Sequence, residues 1–398
     1  MTDLLKIGAA FALIVLLLRL RWNFGLVMLL ASIFFGALYR MGPVEQMQVA
    51  LQSSIDLVTV NLVTGLVLIM VLENIIRKRG VLKRMMEAVV NTAGDRRIAM
   101  AILPGVIGLL PSAGGAAFSA PMVQEATGDA DLNPEHKSFI NYWFRHIWEY
   151  VSPLYPGVVL AVAITKIPIN ALMRSQLPLA VAVVAVGALL GFRGMPRTTV
   201  RGKRDLHEFR TLFITLLPIT IAVVLVALLN VPLALAMISI DAALFAFYRY
   251  SLSEIVTALR ESVSINVVLM VLGIMVFKGM LDASGAIEAL PAFFRESGMP
   301  LGVVFFILPF IVGMLTGLTV GFVGATFPII TAMLGGHPDP GAITFAFASG
   351  FAGVMLSPTH LCLVLTVRYF KADMAGTYRF LYLPVALVLL VGMVRLWI

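Results

Sequence analysis

The stretch ILPGVIGLLPSAGGAAFSAP, residues 102–121, lies in a run apolar enough to be a membrane helix. Yet it carries Pro104, Pro111, the pair Gly114-Gly115 and the hydroxyls of Ser112 and Ser119. A straight span needs none of these, and a proline in a helix interior costs about 3 kcal/mol. The stretch is therefore either a kinked crossing or a hairpin that turns back inside the membrane, and the fold depends on which.

The surroundings are hydrocarbon-like. Of 398 residues 60% are apolar and 13% charged, and the mean hydropathy is +0.98. A soluble domain of this size needs more polar surface, so the chain is an integral membrane protein. Its net charge of +8 sits in short clusters between apolar runs, which suits anionic lipid headgroups and not nucleic acid. A lone Cys362 excludes an intrachain disulfide and a cysteine metal cluster. The first apolar run lacks a small-residue cleavage site and is followed by Arg19 and Arg21, so it reads as a span and not as a signal peptide.

Runs long enough to cross roughly 30 Å of hydrocarbon fall at 4–20, 22–41, 57–77, 138–166 and 174–192, then at 209–229, 231–249, 263–281, 341–370 and 376–397. The interrupted segments 98–126 and 300–334 stand apart. The two sets match. ILPGVIGLL (102–110) lies on ILPFIVGML (307–315), TVNLV (59–63) on SINVV (264–268), and Ser152-Pro153 on Ser357-Pro358. Gly114 pairs with Gly321, Ser119 with Thr326 and Pro121 with Pro328. Prolines, glycines and hydroxyls in step mark a tandem repeat: 1–192, a basic cytoplasmic linker at 193–208, and 209–398.

Charge decides between kink and hairpin. With both interrupted segments as full spans, the flanking Lys and Arg divide almost evenly between the two sides of the membrane. With both as re-entrant hairpins they divide three to one, as cytoplasmic enrichment requires. Five true spans per half then make the repeats inverted, with both termini on the non-cytoplasmic side of the cell (inner) membrane. The fold class predicted is an all-α polytopic membrane protein of two inverted-topology repeats, each with five transmembrane helices, one of them broken, and one re-entrant hairpin. That arrangement is typical of secondary transporters.

Non-helical backbone at membrane depth must be buried in protein or line a cavity. Gly114 and Gly115 permit a tight turn, after which a half-helix aims its amides at the membrane interior, where they favour anions. Ser112 and Ser119 add hydroxyls, as do Thr316, Thr319 and Thr326 around Gly321 in the second hairpin. The alternative is a simple kink with hydroxyls bonded to backbone carbonyls. Ser152-Pro153 and Ser357-Pro358 read as N-cap and first helical position. Hence 138–166 and 341–370 are expected to be two half-helices each, with Thr359 and His360 beside the second restart.

Before the first break, NYWFRHIWEY (141–150) places Arg145, His146 and Glu149 at membrane depth, where ionisable residues are functional candidates. At helical spacing Asn141, Arg145 and Glu149 share one face. Arginine near helix N-termini suits an anionic, carboxylate-type solute. The same residues would also serve as a structural ion pair. Asp241, within 231–249, is either a proton carrier or a helix-contact residue.

The LPSAGGAAFSAPMV hairpin and the architecture, which covers nearly the whole chain, resemble the ion transporter superfamily of sodium/dicarboxylate, citrate and gluconate permeases. Within it the sequence looks most like the membrane family called domain of unknown function 401. The resemblance implies substrate and cation sites at the hairpin tips and broken-helix loops. In this sequence those positions are Ser112, Gly114, Gly115, Ser119 and Ser152, then Thr316, Thr319, Gly321, Thr326, Ser357 and Thr359. It also implies a homodimer. Where the sodium/dicarboxylate carriers show Ser-Asn-Thr at these tips, this chain has SAGG and SPLY.

The expected function is cation-coupled secondary transport of a small anion, with Na+ or H+ as coupling ion and no cofactor or metal. A passive channel is the alternative. A membrane enzyme built on His146 and Glu149 is disfavoured, because HIWE offers one histidine where zinc hydrolase motifs need two. No nucleotide-binding loop of a primary pump occurs.

Overall fold

The computed structural model describes residues 2–111, 115–128, 132–195, 206–285, 300–335 and 338–396, without the side chains of Thr2 and Leu4. Among them there is helix and turn but no strand. The first ten helices are α1 (Thr2–Arg19), α2 (Phe24–Leu38), α3 (Pro43–Ile55), α4 (Leu57–Lys78), α5 (Val81–Thr92), α6 (Arg96–Ile107), α7 (Gly115–Thr127), α8 (Pro134–Arg145), α9 (Pro156–Thr165) and α10 (Ile169–Gly191). The order then recurs in α11 (Leu206–Val223), α12 (Leu233–Phe247), α13 (Leu252–Ser262), α14 (Ile265–Ala283), α15 (Leu301–Thr316), α16 (Thr319–Met333), α17 (Pro340–Met355), α18 (Leu361–Phe370) and α19 (Met374–Arg395). A π-helical turn, Val224–Leu228, extends α11. Most of the linker expected at 193–208, and residues 286–299, lie outside the described residues.

Among the described residues five helices, α4, α10, α11 with its π turn, α14 and α19, are long and apolar enough to cross a bilayer. The chain is an all-α polytopic membrane protein. Helices α3, α5 and α13 were not expected from the sequence. Each mixes charged and apolar residues over 13 residues or fewer, so hydropathy passes over them. Their local signals are caps: Pro43 at the start of α3, Gly80 with φ +65° before α5, and a Ser251–Glu254 capping box on α13.

Packing is reciprocal. Helix α2 lies on α14 and α12 on α4, while α3 packs on α14 and α13 on α4. Arms α6 and α7 pair with each other, as do α15 and α16. At 1.5 Å per residue these arms run about 18 to 24 Å, short of the roughly 30 Å hydrocarbon core. The returning arm α7 lies on α18, and α16 lies on α9. Each hairpin therefore embraces the second half of the other repeat's broken helix.

Both breaks differ from the expected positions. The serine-proline pairs do not start helices. Ser152 Oγ accepts from the Leu154 amide at 3.3 Å, and Ser357 Oγ from the Thr359 amide at 3.2 Å. Such local turns satisfy one amide without launching a helix. The helices restart later, α9 at Pro156 after Tyr155 and α18 at Leu361 after His360. The rule that proline suits the first helical position is met by Pro156, not Pro153. Upstream, α8 ends at Arg145 and a 3-10 turn covers Ile147–Glu149. Arg145 and Glu149 therefore do not share the helical face that their spacing suggests.

Candidate functional site

The site is assembled where the entering arms reach the breaks. The last carbonyls of a helix lack partners within it, and the breaks supply donors. At the first hairpin Trp148 Nε1 donates to Gly105 O at 2.7 Å, and Tyr155 Oη donates to Gly108 O. At the second, Ser357 Oγ donates to Met314 O at 2.7 Å, and His360 Nδ1 to Gly317 O at 2.8 Å. Tyr155 and His360 hold the same place in the two halves, each just before the restarting helix. Glycines permit the approach. A Cβ on Gly108 would collide with the Arg145 carbonyl, and one on Gly313 with the Gly350 carbonyl. The repeat places Arg145 opposite Gly350, so one contact is made twice with unlike side chains.

Three helix N-termini meet here. Gly157, in the first turn of α9, faces Thr319 at the start of α16 so closely that a Cβ would strike its methyl. Gly317, in the left-handed region at φ +62°, lies against the backbone of His360 before α18. Their free amides and dipoles make the region electropositive.

The polar side chains cross between the halves. Thr319 Oγ1 donates to Glu149 Oε2 at 2.6 Å. Asn141 Nδ2 donates to Thr366 Oγ1 at 2.9 Å and to Ala116 O at 3.2 Å, joining α8 to α18 and α7. Arg145 is buried, and its Nε donates to Cys362 Sγ at 3.4 Å. His146 and His360, both buried, face each other with Nε2 atoms 3.1 Å apart. His146 Nε2 also lies 3.7 Å from Glu149 Oε1.

Ser112 and Gly114 lie outside the described residues. Gly115 opens α7 and is buried. The Ser119, Thr316 and Thr326 hydroxyls are turned onto carbonyls of their own helices, the arrangement the kink alternative anticipates. Gly321 sits in the first turn of α16 against the Thr316 side chain. Ser152 is buried on its local turn, while Thr359 is exposed and bonded to Ser357 at 2.9 Å. Asp241 is apart from this cluster, on α12, whose main packing partners are α4 and α11. Both its carboxylate oxygens are buried without hydrogen-bond partners among the described residues.

Sequence reading missed Trp148, Tyr155, Cys362, Thr366 and Glu73. Glu73, on α4, lines a pocket with Arg77, Ile107, Leu110 and Phe118 beside the first hairpin. The repeat alignment could have found Tyr155, since it pairs with His360. Cys362 carried no signal, because its partners are far away in sequence. The HIWE motif supplies one histidine, and a second, His360, is brought to His146 by tertiary packing alone.

Fold and site together define a polytopic helical membrane protein whose polar centre is buried between paired hairpins and broken helices. The family described as "Protein of unknown function (DUF401)" matches residues 4–398, and the chain belongs to it. No curated protein matches the sequence. Among solved structures, the Alcanivorax borkumensis YdaH transporter, reported with an unusual topology, is similar at a TM-score of 0.61 and 12% identity. The similarity covers 96% of this chain and 97% of that one. At such identity it establishes a shared fold.

Proposed function

We propose that this protein is a secondary active transporter of a small, carboxylate-type anion, driven by Na+ or H+ and working by alternating access. The observation that carries the reading is the interlock: each returning arm lies on the second half of the other repeat's broken helix, around buried Arg145. An arginine among three helix N-termini is a site for negative charge. Polar groups drawn from both halves would be remade when one half rocks against the other. The fold shared with a transporter supports the same conclusion.

In this reading the halves are inverted repeats with re-entrant hairpins, placed within the ion transporter superfamily. The protein works as a homodimer in the inner membrane with both termini outside the cytoplasm, and it is not an enzyme. Solute contacts come from Asn141, Arg145, Thr319, Ser357, Thr359 and the hairpin tips. His146, Glu149 and Asp241 are the candidate carriers of coupling charge.

The test is uptake into proteoliposomes of radiolabelled carboxylates under imposed Na+ or H+ gradients. Accumulation above the equilibrium level supports the proposal. Folded protein that only equilibrates its solute is a passive pathway and refutes coupling, and folded protein inert to a broad carboxylate panel refutes the anion reading.

A further inference from the structure

The two histidines that face each other present the same chemical side. His146 Nδ1 lies against the Tyr142 carbonyl, and His360 Nδ1 against the Gly317 carbonyl at 2.8 Å. A carbonyl only accepts, so each Nδ1 carries a hydrogen and each neutral ring turns a bare lone pair outward at Nε2. Those lone pairs point at each other across 3.1 Å. Two acceptors held so close need an electrophile between them.

A third donor atom completes the set. Cys362 Sγ, also buried, lies with the two imidazole nitrogens so that all three atoms fall within 4.8 Å of one another. Metal-binding histidines characteristically donate their other N–H to a carbonyl or carboxylate, which fixes the tautomer and aims the lone pair. Both rings have that support here. Tetrahedral zinc bonds of about 2.0–2.1 Å hold two nitrogens roughly 3.3 Å apart, close to the observed spacing. Glu149 Oε1, 3.7 Å from His146 Nε2, is a carboxylate within reach of a fourth position. Arg145 Nε, bonded to the sulfur, compensates the negative charge that a ligating thiolate carries.

We infer that His146, His360 and Cys362 form a buried binding site for a first-row divalent cation of the zinc class. The site bridges the two halves: His146 follows α8, whereas His360 and Cys362 begin α18 and are tied to the second hairpin through Gly317. A bound ion would pin that hairpin and that break to α8. The inference stands on the ligand geometry and does not depend on the transport reading.

The test uses tag-free, purified full-length protein, stripped with chelator and titrated with Zn2+ and Co2+. The expected result is about one ion per chain, with a thiolate-to-cobalt charge-transfer band. Zn2+ should also raise the thermal unfolding midpoint. Cys362→Ser, nearly isosteric, should lose the band and the Zn2+-dependent rise, and His360→Ala should weaken binding at least tenfold. Folded wild-type protein that takes up neither ion stoichiometrically overturns the proposal, and a proton held between the rings would give that result. Undiminished binding in the His146→Ala/His360→Ala/Cys362→Ser triple variant overturns it equally.

Discussion

Thr319 Oγ1 donates to Glu149 Oε2 at 2.6 Å, joining the first turn of α16 in one half to the break after α8 in the other. A side-chain hydrogen bond contributes about 0.5–1.5 kcal/mol. Thr319→Val should lower the thermal midpoint accordingly, and Glu149→Gln, which can still accept, should lower it less. The double variant should fall short of the sum, with a coupling energy of about 0.5–3 kcal/mol. Strict additivity in detergent unfolding would show that the bond stabilises nothing.

The glycine contacts predict an asymmetry that composition does not suggest. Gly108→Ala and Gly313→Ala each drive a Cβ into a backbone carbonyl, which cannot move aside as a flexible side chain does. Overpacking of this kind costs about 1–3 kcal/mol, occasionally more. Gly8→Ala, in the interior of α1 with nothing within 4 Å of the added Cβ, should be neutral or slightly stabilising. Folded yield by size-exclusion chromatography reads the difference. Equal yields for all three variants would refute the close approach.

Arg145 tests the anion reading directly. Arg145→Ala should weaken binding of a transported carboxylate by about 10- to 150-fold, the equivalent of a lost charged hydrogen bond. Arg145→Lys keeps the charge but not the planar fork and should recover only part of it. Binding to purified protein by scintillation proximity measures both. Collapse of Arg145→Ala to unfolded protein would favour a structural role, and wild-type affinity in the folded variant would remove the arginine from the site.

Helix α13, outside the spanning set, should loosen in acid. Its Glu261 is held below the ordinary glutamate range chiefly by Lys78, then by Asn74. Glu254 is held low by hydrogen bonds from Ser251 and by Arg79. A carboxyl with a lower pKa folded than unfolded contributes its stabilisation above the ordinary 4.5 and loses it as pH falls through the lowered value. Amide protection in α13, taken relative to the intrinsic exchange rate at each pH, should therefore fall selectively in acid, and Glu261→Gln should show part of that effect at neutral pH. Unchanged protection in acid would discount both carboxylates as anchors.

Much of the helix order was legible because long apolar runs and recurring Pro and Gly survive in one dimension. ILPGVIGLL and ILPFIVGML locate the arms α6 and α15, since a proline or glycine at membrane depth has few uses besides a break or a close approach. The cap of α13 was legible in principle from Ser251 and Glu254. The helix restarts were misplaced because Ser152 and Ser357 satisfy a cap rule locally, while packing against the opposite hairpin selects Pro156 and Leu361.

The sequence by itself determined the membrane solvent, the all-helical class, the recurrence of its elements and the neighbourhood of Arg145. Periodicity, hydropathy and charge are local sums that need no third dimension. Only the tertiary structure decided which groups meet. Arg145 faces Cys362, Glu149 faces Thr319 and His146 faces His360. Every one of these pairs links the two halves, so its geometry is set by how one repeat packs into the other. The opening stretch gains its meaning the same way: Gly105 and Gly108 are where the first hairpin hands its unpaired carbonyls to Trp148 and Tyr155.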